Sequence, residues 1–477
     1  MSDTTSFTAS YTRTWVIAFI ACYASILINR ATQGIEVSIL IADFLFLLIV
    51  FFFLWYFCGK HIIRRSLTNG ECYLIASLTV IYFVLSILSG YVSDIGIPSS
   101  VVMPTSLVIL IPSILISPRL ALVLAMTLPL SAFLTGSFDL PSYFFALCSG
   151  VVAAYSLQGA EKRNDLVKAG LIIAGANVIA MSAVLLWLQS PARIFPFALV
   201  WASINGLVSG MLVLGVLPPL ENALNAATSF RLIELSDLNV PVMKRLFTTA
   251  PGTYSHSMMV ANLAETACQD IGANPILARV GAYYHDLGKL DNPEYYVENQ
   301  KDFNIHDDMD PRLSAAVIRN HVRLGVEKAR QHRLPQEVIN IINEHHGDSV
   351  ITWFYSKALK QYEDTKTNPV HLEDYKYPGN PPASRESAVV MLADICEAAV
   401  RSLDKPTAVQ MESFIDELIS RKIEYGQLSQ AELTFKDIEK IKNSFVSVLS
   451  GYHHNRIEYP SIKIPNGNSG EKENESG

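Results

Sequence analysis

Residues 35–58 read IEVSILIADFLFLLIVFFFLWYFC, with no basic residue and only Glu36 and Asp43 charged. A helix needs roughly 20 mostly apolar residues to cross the hydrocarbon core of a bilayer, and this run is long enough. Working outward, similar blocks lie at about 14–29, 72–92, 100–117, 119–136, 141–158, 168–188 and 195–217, so eight spans are predicted. From about Glu221 onward charged and apolar residues mix as in a soluble domain. That segregation explains why half of the 477 residues are hydrophobic while only 17% are charged.

The first span is short and could pass for a secretory signal, but its leader has Arg13 as its one basic residue and no small-residue cleavage site follows, so it reads as retained. Lysine and arginine concentrate in the cytoplasmic loops of membrane proteins. The basic breaks GKHIIRR (59–65), EKRNDLVK (161–168) and Arg119 alternate with SDIGIPSS (93–100) and FDLP (138–141), which have none. With eight spans this places the N-terminus and everything after residue 217 in the cytoplasm, and the chain in the cell membrane. Asp43 is the one clear acid within a span and reads as a residue that faces other spans or pairs with Arg30. A transporter is expected to carry more intramembrane charge than this.

The second half shows helical periodicity throughout. TYSHSMMVANLAETACQDIG places Val260, Leu263, Ala264, Ala267 and Ile271 on one face, with Gly272 as a stop. NPILARVGAYYHDLGK begins with Pro275 just inside a helix, and two further periodic segments also open at or just after a proline. Nothing alternates as a strand would, so the fold class is all-α: a polytopic helical membrane domain followed by an all-α soluble domain. The stretch 365–384 reads as a loop, and 461–477 as a disordered tail. The net charge of −7 argues against a nucleic-acid polymer as partner, and the six scattered cysteines suggest neither a disulfide framework nor a cysteine metal site.

Potential metal ligands recur on these helices: His256, then His285-Asp286, His321, His345-His346 and Asp394. Imidazole and carboxylate suit metals such as Mn and Fe, and seven such groups suit a pair of ions rather than one. Asp394 interrupts the apolar run VVMLAD, where an acid is costly unless paired or metal-bound. Singly, His256 or His321 could be a satisfied core histidine, and His345-His346 a cationic helix end. The joint order over successive helices is what those readings leave unexplained.

That order, with the segments MKRLFTTAPGTYSHSMMVANLAE, ARVGAYYHDLGK, EHHGDS, YPG and MLADICEAAVRSL, resembles the seven-transmembrane HD hydrolases of the cyclic di-AMP phosphodiesterase type. The resemblance is strong over about 235–460 and looser, by topology, in the membrane part. It implies two divalent ions, Mn or Fe, one held by His256, His285, Asp286 and Asp394, the other by Asp286, His321, His345 and His346, with Asp286 as bridge. It implies Asp286 and Lys289 as catalytic residues, the lysine a point charge for a phosphate oxygen, with a solvated surface lysine as the competing reading. His306-Asp307, which repeats the same two letters, reads as loop and cap.

The implied function is a membrane-anchored phosphodiesterase in bacterial second-messenger signalling, hydrolysing cyclic di-AMP to linear 5'-pApA. Its partners would be a cyclic dinucleotide, the lipid bilayer and a second copy of the chain. The alternatives are another cyclic dinucleotide such as cyclic di-GMP, although the Gly-Tyr-Pro signature of that branch is missing after His346, and a membrane receptor whose HD domain only binds ligand. Two departures from the family stand out: only NRATQG (29–34) separates the first two spans where a large extracytoplasmic domain is usual, and LDNPEYYVENQ lacks a basic residue before its proline. The expected division is 1–218 membrane domain, 219–240 linker helix, 241–460 HD domain and 461–477 tail.

Overall fold

A computed structural model of the chain describes residues 2–33, 36–57, 67–90, 99–300, 303–365, 369–403 and 406–454. The basic break 59–65, nearly all of 93–100 and the expected tail lie outside the described residues. The chain forms two compact units, residues 1–244 with 327–340, and 245–326 with 341–477. Among the described residues there is no strand, only an isolated bridge between Val350 and Lys376.

In the first unit the predicted blocks are helices α1 (Ser2–Gln33), α2 (Val37–Phe57), α3 (Asn69–Gly90), α4 (Thr105–Leu115), α5 (Pro118–Leu134), α6 (Leu140–Tyr155), α7 (Asn164–Trp187) and α8 (Phe195–Leu224). Each of the eight predicted blocks is a helix; among the described residues five apolar helical segments are long enough to cross a bilayer, and α4, α5 and α6 are shorter. The 11 residues of α4 rise about 16 Å at about 1.5 Å each, against a core about 30 Å thick. Proline punctuation is the reason: α4 follows Pro104, and Ser117 caps α5 with Pro118 at its first turn.

Polar side chains join these helices where apolar contact alone gives no preference. Ser99 pairs with Ser142 at 3.1 Å, Ser106 with Ser149 at 2.6 Å, and Ser113 donates to the Ala154 carbonyl at 2.8 Å. α7 and α8 approach backbone to backbone: a Cβ on Gly206 would lie 2.4 Å from the Ala174 nitrogen. Asn177 donates to Asn205, which donates in turn to the carbonyls of Val101 and Met103. Asp43, 1% exposed, is paired with Arg30 at 3.0 Å, and Arg30 also donates to the Thr135 carbonyl. In the basic break 161–168, Arg163 pairs with Glu221 and Glu234.

The segment expected as one linker helix is instead broken. α8 runs through Pro218 and Pro219 to Leu224, Asn225 turns left-handed, and α9 (Ser229–Leu235) starts anew from a Thr228 cap before α10 (Pro241–Thr249). The remaining helices are α11 (Pro251–Ile271), α12 (Pro275–Tyr284), α13 (Pro311–Gln331), α14 (Gln336–Glu344), α15 (Thr352–Thr365), α16 (Arg385–Arg401), α17 (Ala408–Glu424) and α18 (Phe435–His454). Gly272 takes the left-handed position that ends α11, and the Asn274 side chain caps α12 with Pro275 in its first turn. Val260, Leu263, Ala264 and Ala267 are fully buried where α11 packs on α12, α16 and α18.

Candidate metal centre

Each sequence-predicted ligand sits at or near a place where a helix meets its neighbours. His256 lies in the second turn of α11, and His285 directly follows α12, leaving Asp286 to open a 3-10 turn, Leu287–Asp291. His321 is in mid-α13, His345 and His346 follow α14, and Asp394 is on the buried face of α16. All but His346 are less than a tenth exposed. Gly288 explains one close approach: a Cβ there would lie 1.8 Å from the His321 carbonyl and 2.7 Å from the Gly325 nitrogen. The glycine of HDLGK therefore lets α13 reach Asp286.

The imidazoles converge on Asp286. His285 Nε2 is 3.2 Å and His256 Nε2 3.7 Å from its Oδ2; His321 Nε2 is 3.5 Å and His345 Nε2 3.8 Å from its Oδ1. Asp394 closes one side, with Oδ1 3.0 Å from His256 Nε2 and Oδ2 3.5 Å from His346 Nδ1. Two groups have ligand atoms all within 4.8 Å of one another: His256, His285 and Asp394, and His321, His345 and His346. A third, His285, Asp286 and His345, lies between them.

Neither Asp286 oxygen nor His285 Nε2 has a hydrogen bond in good geometry, although all three are buried. Such groups are costly to leave unmatched. Imidazole nitrogens and carboxylate oxygens without hydrogens between them are metal donors, so the residues present fit divalent ions.

Electrostatics point the same way. Burial pushes His321 down, and burial with the charges of His285 and His321 pushes His345 to about 3, so both offer neutral nitrogens. His346 lies well below its usual value through burial and His345. His256 is the exception: burial opposes its charge, but hydrogen bonds to Asp394 and Glu397 hold it up at about 10. Burial would raise Asp286, yet His285 and Lys289 keep it well below the usual carboxylate range.

Lys289 is not a solvated lysine. Its side chain is 12% exposed and lies 2.7 Å from Asp286 Oδ2 and 2.8 Å from Glu298 Oε1. The look-alike His306 stands apart, in the 3-10 turn Ile305–Asp307, with Nε2 2.8 Å from the Tyr295 carbonyl and its ring on Phe354.

Sequence reasoning missed Glu397, which meets the other face of His256, Glu298, which holds Lys289, and Tyr377, whose ring stacks on His346 at 4.2 Å. Glu397 had a signal, since it is a second acid one turn after Asp394 in an apolar helix. Tyr377 stood in the YPG segment that carried the resemblance, but neither it nor Glu298 follows a helical period, since Glu298 lies in the 3-10 turn Val297–Asn299 and Tyr377 outside any helix.

Residues 37–228 match the family model described as a 7TM receptor with intracellular HD hydrolase, and residues 253–399 match the HD domain. The chain is 38% identical to the cyclic-di-AMP phosphodiesterase PgpH of Bacillus subtilis (strain 168) over 68% of this chain and 46% of that protein. It is 33% identical to the PgpH of Listeria monocytogenes serotype 1/2a (strain 10403S) over 84% of this chain and 55% of that one. The chain thus spans about half the length of the curated relatives it matches. Crystal structures of the L. monocytogenes PgpH HD domain, one in complex with cyclic-di-AMP, align at a TM-score of 0.43 and 39% identity; the first covers 45% of this chain and 100% of that one.

Proposed function

We propose, from the premise that this chain belongs to the family of seven-transmembrane proteins with an intracellular HD hydrolase domain, that it is a membrane-anchored phosphodiesterase opening cyclic di-AMP to linear 5'-pApA. The observation that carries this reading is Asp286: a buried carboxylate with no hydrogen bond of good geometry on either oxygen, ion-paired to Lys289 and surrounded by four imidazoles. A site built only to bind an organic ligand has no need of that arrangement.

His256, His285, Asp286 and Asp394 would hold one ion and Asp286, His321, His345 and His346 the other, with Mn or Fe as the ions that suit these donors. When bound, such a pair activates water and neutralises the charge that develops on phosphorus. The chain's own groups do the rest. Asp286 spans the two halves, with one oxygen toward His285 and His256 and the other toward His321 and His345. The histidines present Nε2 inward because Nδ1 is engaged elsewhere for four of them. Lys289 is held by Glu298 and Asp286 and, with three N–H groups, retains one for a phosphate oxygen.

The proposed division remains a membrane domain to about 218, an HD domain over about 241–460, and a tail beyond. The HD domain and the N-terminus face the cytoplasm at the cell membrane, with the bilayer and a second copy of the chain as partners. A reporter fused after Pro218 that reads external overturns this orientation. To test the activity, the full chain in detergent is incubated with Mn²⁺ and offered cyclic di-AMP, cyclic di-GMP and a generic phosphodiester in parallel. Preferential release of 5'-pApA is expected. Turnover confined to cyclic di-GMP, or binding without turnover, overturns the assignment.

A further inference from the structure

Four histidines of the centre present Nε2 to Asp286, and what each does with Nδ1 differs. His285, His321 and His345 each direct Nδ1 to the carbonyl three residues earlier in their own segment: Ala282 at 2.7 Å, Ile318 at 2.6 Å and Ile342 at 2.7 Å. Those contacts are local and neutral. His256 directs Nδ1 instead to the carboxylate of Glu397, 141 residues away in sequence. Glu397 is buried at 8% exposure, and its other oxygen lies 3.4 Å from Arg401. Glu397 is one turn beyond Asp394 on α16, so a single helix face grips both nitrogens of one imidazole: Asp394 at Nε2 and Glu397 at Nδ1.

A carboxylate accepting from Nδ1–H differs from a carbonyl in kind. The hydrogen bond is charge-assisted and stronger, it keeps a proton on Nδ1 so that Nε2 is the nitrogen offered to an ion, and it pushes electron density toward Nε2, raising the strength of that nitrogen as a ligand. Only one half of the centre has this device. The His321, His345 and His346 half has two backbone carbonyls and, at His346, a stacked tyrosine ring.

We propose that Glu397 is a positioning residue that makes the two halves unequal, so that the ion held by His256, His285, Asp286 and Asp394 binds more tightly and fills first. The inference rests on the two-ion reading above. Glu397 touches neither substrate nor ion; it acts through His256.

The test is Mn²⁺ binding to the full chain in detergent, followed by loss of the free-ion paramagnetic signal and by metal content after gel filtration. Wild type should bind in two resolved steps. Glu397→Gln, which keeps the shape and an acceptor but loses the charge, should weaken the tighter step by about 10-fold, and Glu397→Ala by up to about 100-fold, the range for removing such outer partners. The weaker step should stay within about twofold. His346→Ala should do the reverse. Helical circular dichroism of the metal-free variants separates misfolding from weakened binding, and Glu397→Gln, as the isosteric change, carries the decision. If wild type binds two ions and Glu397→Gln leaves the tighter step unchanged, or weakens both steps equally, the proposal is overturned while the two-ion reading survives. If wild type binds a single ion, both fall.

Discussion

Asp43 and Asp286 are both 1% exposed, one in a membrane-spanning helix and one in the HD domain, and the chain treats them in opposite ways. Asp43 faces a single guanidinium: Arg30 reaches both of its oxygens and uses a remaining donor on the Thr135 carbonyl. That pair is closed, and its geometry leaves no vacancy for a ligand. Asp286 has Lys289 on one side, four imidazoles around it and no hydrogen bond of good geometry on either oxygen. A buried acid is therefore no signal of chemistry by itself. What distinguishes the two is whether the neighbours satisfy the carboxylate or compete with it for a third party.

The sharpest way to break this contrast is Asp286→Asn, which removes the bridge. Metal content and hydrolysis are expected to fall by more than about a hundredfold, beyond the range for outer partners; full metal and full turnover in the variant would end the assignment. Gly288→Ala comes next, since its Cβ would lie 1.8 Å from the His321 carbonyl. Forcing α13 away should cost about 1–3 kcal/mol by denaturant titration, as overpacking does, and should weaken the ion on the His321 side more than the other.

Proton linkage separates two of the histidines around Asp286. His256, held up at about 10, is protonated at neutral pH without metal, whereas His345, pushed to about 3, is not. An ion must displace the His256 proton, so metal uptake should release about one proton, and apparent affinity should rise with pH up to about 10 and fall below it. Calorimetry in buffers of different ionisation enthalpy measures that proton directly. The smallest effect is expected for Asp43→Asn. It leaves Arg30 short of its charged partner, at about 1–3 kcal/mol of membrane-unit stability, while turnover below the melting temperature stays unchanged. A loss of turnover without a loss of stability would show that Asp43 is no mere closed pair.

The all-α class was legible in the sequence, and so was the series from His256 to Asp394 that the structure brings together, because helical period is a local property. Asp43 was legible down to its Arg30 partner, since both flank one short turn. The ends of three helices were not: hydropathy shows that residues 100–158 are apolar, but the chain's Pro104, Ser117 and Asp139 set where α4, α5 and α6 begin. For Lys289 the sequence left a phosphate contact and a solvated side chain both open, because its burial depends on Glu298 folding back nine residues later.

By itself, then, the amino-acid order determined which residues can be ligands and which helix each rides on. Only the tertiary structure decided how they differ. The Nδ1 partner of each histidine is set by packing, and for His256 that partner is a carboxylate 141 positions away. Likewise the contact between α13 and the HDLGK turn depends on Gly288 meeting Gly325 across two helices. Periodicity reports which side of a helix is buried, but contacts between distant segments arise only when the helices pack, and that is where a polar helix end comes to lie among four imidazoles.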